Sequence, residues 1–191
     1  MDIISRSKFL SKILRHDPGI IGVQLDQNGW ADVQDLIQRL KWRINELEFI
    51  VANNNKKRFE FNQDKTKIRA CQGHSLNVDL DLTPKQPPTI LYHGTSESVV
   101  DSILASGIEK RNRTHVHLSL DHATATKVGQ RHGKPVVLEI DAETMFKDGC
   151  KLYLSTNNVW LTDFVDKKYI KKPPVATVPS NAPSASGSNF F

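Results

Sequence analysis

The residues best suited to chemistry lie in two short runs, His93-Gly94-Thr95 and His115-Val116-His117-Leu118-Ser119. Each run is flanked by apolar residues, so each reads as a buried strand with a polar tip. His, Thr and Ser at strand ends can aim donors at a ligand, and Gly94 lets backbone approach closely. Arginine stands beside histidine at Arg15-His16 and Arg131-His132, and Arg69 sits in a turn-rich strand pattern. Arginine grips a phosphate with two parallel hydrogen bonds. Together these residues predict phosphate chemistry, with guanidinium groups beside a pocket built from strands.

Each of these groups has a plainer account. Arg15-His16 ends a helix, where the helix dipole favours a cation, and an arbitrary Arg-His pair would simply be solvated there. Asp17-Pro18-Gly19 then fixes the chain direction at once, as a positioned phosphate-binding pair requires. Arg69 belongs to Ile68-Arg69-Ala70-Cys71-Gln72-Gly73-His74-Ser75, which reads equally well as a donor-rich turn or a plain hairpin exit. Arg131 lies in Gly129-Gln130-Arg131-His132-Gly133-Lys134-Pro135, where a basic helix terminus is the ordinary reading. A lone strand histidine is usually structural. Two of them, His93 and His117, each followed by small or hydroxyl residues, point to one shared polar cleft. No third His, Cys or carboxylate stands at ligand spacing, so no metal site is expected. The chain lacks a Gly-rich Rossmann turn and a P-loop, which removes support for a dehydrogenase or a P-loop ATPase.

The elements that must position these groups are legible from periodicity and punctuation. Phe9, Leu10, Ile13 and Leu14 share one helical face over residues 5–15, and Pro18 stops that helix. Asn28-Gly29 marks a turn. Val33, Leu36, Ile37 and Leu40 predict a second helix with Asp32 as N-cap. Asn45 followed by Glu48 predicts a capping box opening a third helix. Two alternating segments, residues 58–61 and 67–70, flank a polar turn and predict a hairpin. Three helices followed by a hairpin outline a winged helix over residues 1–82. Thr83-Pro84-Lys85-Gln86-Pro87-Pro88 breaks both helix and ladder, so residues 83–89 are expected to be a linker.

Residues 90–172 read differently. Strands are expected at residues 90–93, 115–120, 135–140 and from Val159. A helix carries Val99, Val100, Ile103 and Leu104 and ends at Gly107. Another starts after Asp121, runs to about Gln130 and closes at Gly133. The expected class is α+β with a split sheet in this second lobe. Residues 173–191 are Pro, Ser, Ala and Asn with little to bury, so a disordered tail is expected, Phe190 and Phe191 apart.

The charge balance favours a polyanionic partner. Of the 191 residues 38% are hydrophobic, as in a folded globular protein. No apolar stretch has the length to cross a bilayer, and no secretory signal pattern opens the chain. The formal charge is +5, the pI is near 9.2, and the basic residues crowd the first 70 positions. That placement is either a solvated face or an electrostatic footprint for nucleic acid. Cys71 and Cys150 lack metal or disulfide spacing and read as reduced thiols of a cytoplasmic protein.

Seven runs, in order and spanning roughly residues 5–170, resemble the NAD-dependent RNA 2′-phosphotransferase family of the KptA type. They are residues 7–16, Gly29-Trp30-Ala31-Asp32-Val33, the Ile68-Arg69-Ala70 and Gln72-Gly73-His74-Ser75 stretch, Leu91-Tyr92-His93-Gly94-Thr95, residues 115–119, residues 131–135, and Asn158-Val159-Trp160-Leu161-Thr162. The resemblance implies an N-terminal winged-helix lobe, a C-terminal ADP-ribosyltransferase lobe, and NAD as co-substrate without a metal. It implies that an internal RNA 2′-phosphate attacks the nicotinamide ribose of NAD and expels nicotinamide. The 2″-hydroxyl then attacks the phosphate, releasing 2′-hydroxyl RNA and ADP-ribose 1″,2″-cyclic phosphate. By motif the catalytic set would be Arg15, His16, Arg69 and Arg131. NAD would meet His93, Gly94, Thr95, His117, Leu118, Ser119 and Val159. Many protein ADP-ribosyltransferases carry Glu at the third nucleotide-site position, and Val159 there disfavours transfer to protein side chains. Cys71 departs from the family pattern and is expected to face away from Arg69. A monomer acting on tRNA-like RNA is expected. Two other readings are an enzyme that ADP-ribosylates terminal phosphates of RNA or DNA, and a catalytically silent winged-helix RNA-binding module.

Overall fold

A computed structural model describes residues 2–54 and 56–171 as a mixed α+β chain. The expected tail over residues 173–191 lies outside the described residues. In the first half, α1 (Ile3–Arg15) starts at Asp2, whose carboxylate accepts the Ser5 amide at 2.9 Å, and it buries Leu10, Ile13 and Leu14. The His16 and Asp17 amides both close on the Lys12 carbonyl at 3.0 Å, and Pro18 turns the chain into a short 3-10 segment. Asp26 then accepts the Asn28 and Trp30 amides at 3.0 and 2.9 Å, a turn that needs Gly29 at φ 78°.

β1 (Ala31–Asp32) runs directly into α2 (Val33–Leu40), where Asp32 caps the Asp35 amide at 2.8 Å. α3 (Ile44–Ala52) follows with a different cap from the one the spacing predicts. Glu46, not Glu48, reaches back to the Arg43 amide at 2.7 Å. Glu48 instead pairs with Lys65 at 2.8 Å. β2 (Phe59–Phe61) and β3 (Lys67–Ala70) form the hairpin, and β1 adds to β3, giving the order β1-β3-β2. Glu60 lies opposite Arg69 in that ladder. Leu10, Ile13, Leu14, Leu36, Leu47 and Ile68 fill the core beneath.

The second half contains β4 (Ile90–Ser96), α4 (Val100–Ser106), β5 (Ile108–Glu109), β6 (Val116–Leu118), α5 (His122–Gly129), β7 (Pro135–Asp141), α6 (Ala142–Lys147), β8 (Tyr153–Leu154), β9 (Trp160–Thr162), β10 (Phe164–Val165) and β11 (Ile170–Lys171). One sheet has the order β11-β7-β4, another β6-β9-β8, and β5 pairs with β10. The two larger sheets meet where Tyr92 and Ser119 exchange hydrogen bonds of 2.9 and 2.8 Å. That junction sets β4 and β6 side by side, so His93 and His117 face a common seam.

The stretch expected to be a linker lies against the second half. Pro84 bridges Tyr153, and the Lys85 amide donates to the Leu152 carbonyl at 2.8 Å. Val78 and Leu80 pack on Leu161, joined by Leu76, Leu82, Tyr153 and Val159. Among the described residues no helix is long and apolar enough to cross a membrane.

Candidate active site

The site grows from the end of α1 and the turn after β3. The Ser75 amide donates to the Arg15 carbonyl at 3.0 Å, and the Ser75 hydroxyl lies 3.0 Å from His16 Nδ1. Gly73, at φ 88°, brings that turn against Arg15, with its missing Cβ 3.6 Å from the guanidinium carbon. Arg15 Nε and Nη2 are buried and have no partner among the described residues. Burial, then the charges of Arg58 and Arg113, push the Arg15 pKa down to about 10, so it is charged at neutral pH. A buried guanidinium with idle donors is costly unless an anion completes it. His16 is held below its ordinary value by burial, Arg15 and Arg113.

With Ser75 engaging Nδ1, Nε2 is the nitrogen of His16 left for another partner. Ser75→Ala is expected to lower the turnover number about 10-fold with little change in KM, the scale of one hydrogen bond of roughly 1.4 kcal/mol, and Ser75→Thr to retain most activity. Steady-state kinetics with RNA as the varied substrate check it.

His74 is wholly buried beside this pair, and neither ring nitrogen has a partner among the described residues. Burial pushes its pKa down to about 4, and Arg15, Arg69 and His16 act in the same direction. Those three candidates therefore surround one neutral ring. Its carbonyl accepts the Thr114 amide at 3.1 Å, which ties the turn to the second half.

Arg69 differs from Arg15. Its Nε donates to Glu60 at 2.6 Å, and its guanidinium lies 4.3 Å from the Trp30 ring centroid. It is an ion-paired, stacked side chain near the cluster rather than an idle one. Cys71 does not turn away from the cations: it stands two residues beyond Arg69, and strand alternation puts i and i+2 on the same side. Its buried thiol donates to the Lys57 carbonyl at 3.3 Å and lies within range of the Arg15 and Arg69 charges. Burial pushes that thiol up, so it stays neutral. Cys71 and Cys150 are both free.

Across the seam, the His93 Nδ1–H donates to the His117 carbonyl at 3.2 Å, which leaves Nε2 as its acceptor. Arg113 Nη1 lies 3.4 Å from His117 Nδ1; the guanidinium donates, so His117 carries its proton on Nε2. That Nε2–H is buried without a partner among the described residues. Burial, then Arg113 and Arg15, push the His117 pKa down to about 3, and burial pushes His93 down too. An open cleft of about 530 Å³ lies on the Ser75 and Arg113 side, lined by Ser75, Asp79, Lys110, Arg113 and His115, and neither His93 nor His117 lines it.

The other strand residues take varied positions. Thr95 is buried, and Leu118 faces the apolar core. Gly94 does permit a close approach, but by the α5 backbone: a Cβ there would sit 1.8 Å from the Ala125 carbonyl oxygen. The Ser119 backbone joins the two sheets at Tyr92. Val159 packs against the Val78, Leu80 and Leu161 cluster, held by the Ser155 hydroxyl, which lies 3.0 Å from its amide and 2.9 Å from its carbonyl. Arg131 lies in the 3-10 segment Gln130–His132 after α5, and its charge reaches Arg58 and Lys56 of the first half. Among the described residues, no group of three or more His, Cys, Asp or Glu is placed to hold a metal.

The sequence reading places Arg58 in the hairpin and His74 and Ser75 in a donor-rich turn but names none of them, nor Arg113, as a site residue. The available signals are that turn and the Arg-x-His-x-His spacing of Arg113, His115 and His117. The buried rings also set an acid response. Unfolded histidines take protons near about 6.5, whereas His74 and His117 resist until about 4 and 3. Between those values the unfolded chain binds more protons, so stability falls as the pH drops. The slope is expected to approach about 1.4 kcal/mol per pH unit for each ring. Urea unfolding at pH 7 and pH 5 measures the fall, and His74→Leu is expected to remove its share.

The model of the family described as RNA 2′-phosphotransferase, Tpt1/KptA, matches residues 2–164. Among curated proteins, one from Flavobacterium johnsoniae is 52% identical over 87% of this chain and 94% of its own length. One from Fusobacterium nucleatum is 52% identical over 88% and 97%, and one from Hahella chejuensis 50% over 87% and 92%. Each carries the name "Probable RNA 2'-phosphotransferase". The chain belongs to the Tpt1/KptA family of RNA 2′-phosphotransferases.

Proposed function

We propose that this protein removes an internal 2′-phosphate from RNA, of the kind left at a tRNA splice junction, by transferring it to NAD. The observation that carries the reading is Arg15, a buried guanidinium with two idle donors, set beside His16 at the seam between the two halves. A phosphate is the ligand that such a fork fits.

The reading assigns residues 1–82 to a winged-helix RNA-binding lobe, supported by three helices followed by a hairpin. It assigns residues 90–172 to an ADP-ribosyltransferase-like lobe, supported by two sheets that separate beyond Tyr92 and Ser119. The residues present fit a dinucleotide at that seam. The His117 Nε2–H is an unpaired buried donor, His93 Nε2 is an acceptor, and both rings stay neutral. The reading also assigns Gly94, Thr95, Leu118, Ser119 and Val159 to NAD by motif.

In the first step an oxygen of the RNA 2′-phosphate bonds to the anomeric carbon of the nicotinamide ribose, and nicotinamide leaves with the bonding pair. In the second, the 2″-hydroxyl oxygen bonds to phosphorus, and the RNA 2′-oxygen leaves and takes a proton. Arg15 and Arg131 hold the phosphate and offset the charge that builds on its oxygens in the second step. His16, neutral near pH 7, takes the hydroxyl proton through Nε2 and returns it to the RNA oxygen. Arg69 enters by motif, and its ion pair with Glu60 means its test needs a folding control.

The test is incubation of the protein with a 2′-phosphorylated oligonucleotide, with and without NAD. The expected products, only with NAD, are 2′-hydroxyl RNA, free nicotinamide and ADP-ribose 1″,2″-cyclic phosphate. Release of inorganic phosphate, or equal turnover without NAD, overturns the reading.

A further inference from the structure

One guanidinium in the cluster has no task in the reaction just described. Arg58 stands just before β2, its carbonyl accepting the Cys71 amide at 2.8 Å, which sets it beside the turn that holds Arg15. Its Nη1 donates to Asn54 Oδ1 at 3.0 Å, and Asn54 Nδ2 donates to Ser7 Oγ of α1 at 2.6 Å. Asn54 and Ser7 are each only 7% exposed. We propose that Arg58 binds a phosphate of the RNA substrate, with Asn54 and Ser7 as its positioning residues. The proposal rests on the RNA 2′-phosphotransferase reading and names a contact within it.

The contrast with other arginines supports it. Arg6, Arg39 and Arg69 are each neutralised by a carboxylate at 2.6 Å. Arg15, Arg58, Arg113 and Arg131 form no ion pair among the described residues. Arg58 is close enough to Arg131 and to Arg15 for their charges to oppose one another. Like charges held together without a counter-charge form an anion site. The chemistry of Asn54 fits the same purpose. An amide oxygen fixes one edge of the guanidinium and cancels none of its charge, where a carboxylate would cancel it. The amide is itself pinned at the other end by a buried hydroxyl, so the fork is held in place before any ligand arrives. Lys56 adds charge beside it, its amide also donating to Asn54 Oδ1, at 3.1 Å, and its carbonyl accepting Asn157 Nδ2 from the second half at 3.2 Å.

The phosphate is either the 2′-phosphate or the neighbouring phosphodiester, and binding separates them. Wild type, Arg58→Ala, Arg58→Lys and Asn54→Asp are compared on 2′-phosphorylated RNA and on 2′-hydroxyl RNA of the same sequence. KM for NAD and the melting temperature are measured alongside. Arg58→Ala is expected to weaken binding of 2′-phosphorylated RNA about 10- to 100-fold and to lower the salt slope by about 1, with KM for NAD within about 2-fold of wild type. Asn54→Asp, which gives Arg58 a carboxylate of the same shape, is expected to weaken RNA about 10-fold, and Arg58→Lys to recover part of the loss. A loss confined to 2′-phosphorylated RNA assigns the 2′-phosphate, and an equal loss on both RNAs assigns the diester. Unchanged RNA affinity in folded Arg58→Ala, or a rise in KM for NAD alone, overturns the proposal. A wild-type protein that leaves the 2′-phosphate in place refutes the transfer reading instead, while direct RNA binding still decides Arg58.

Discussion

Replacing Arg15 with alanine is expected to slow 2′-phosphate removal by about 10²-fold or more, the effect of deleting one preorganised charge donor. The side chain is half-buried, its buried Nε and Nη2 have no protein partner among the described residues, and the Gly73 turn closes over it. The fold therefore loses little when the guanidinium goes, since no ion pair breaks and an unfavourable buried charge is relieved. The reaction loses the group that would receive the phosphate. Arg131→Ala is expected to act on the same scale and chiefly in the second step, so ADP-ribosylated RNA should accumulate. Single-turnover kinetics, with a gel that resolves this intermediate, measure both. Rates within a few-fold of wild type for Arg15→Ala and Arg131→Ala would sink the assignment. Arg69→Ala is a weaker test, because it also breaks the Glu60 pair and the Trp30 contact, in which both charged side chains are largely buried.

The largest effect on folding is expected at Gly94. A methyl group there would lie 1.8 Å from the Ala125 carbonyl oxygen and 3.0 Å from the Gly129 amide nitrogen. Both belong to the backbone of α5, which cannot step aside as a flexible side chain does. Gly94→Ala is therefore expected to cost about 3 kcal/mol, a fall in Tm on the order of 10 °C, by driving α5 off β4. Gly149→Ala is the control. Nothing lies within 4 Å of a Cβ there, so only the strain of φ 89° remains, about 1 kcal/mol. Calorimetric melting of both variants checks the contrast, and equal shifts would refute the steric account.

Elements with strong local signals were legible in the sequence. The α1 stripe, the Asp32 cap and the hairpin all follow from periodicity and turn chemistry within a few residues. The pairs β5, β8, β10 and β11 have two residues each and exist only because a distant strand lies alongside. The six-residue α6 depends on the Asp141 carboxylate accepting the Thr144 amide, a cap whose helix is too short to show periodicity. At α3 the expected Asn45–Glu48 box gave way to Glu46, because Arg43, not Asn45, stands at the helix entrance. The site divides the same way. Arg15, His16, His93 and His117 announce themselves by type and neighbours. Ser75 gains meaning only through His16, 59 positions away, and Arg58 through Asn54, which is pinned by Ser7 47 positions from it. Arg69 is legible as an arginine, but its pairing with Glu60 is a product of strand register.

The segment His74-Ser75 is gripped from two directions, by the Arg15 carbonyl on one side and by the Thr114 amide on the other. His16 and Ser75 both belong to residues 1–82, so prising the two halves apart would break the Thr114 link to His74 and leave the hydroxyl beside His16 in place. A hinge opening there would carry Arg15, His16 and Ser75 along as one preassembled unit, so that half of the socket is shaped before any guest arrives.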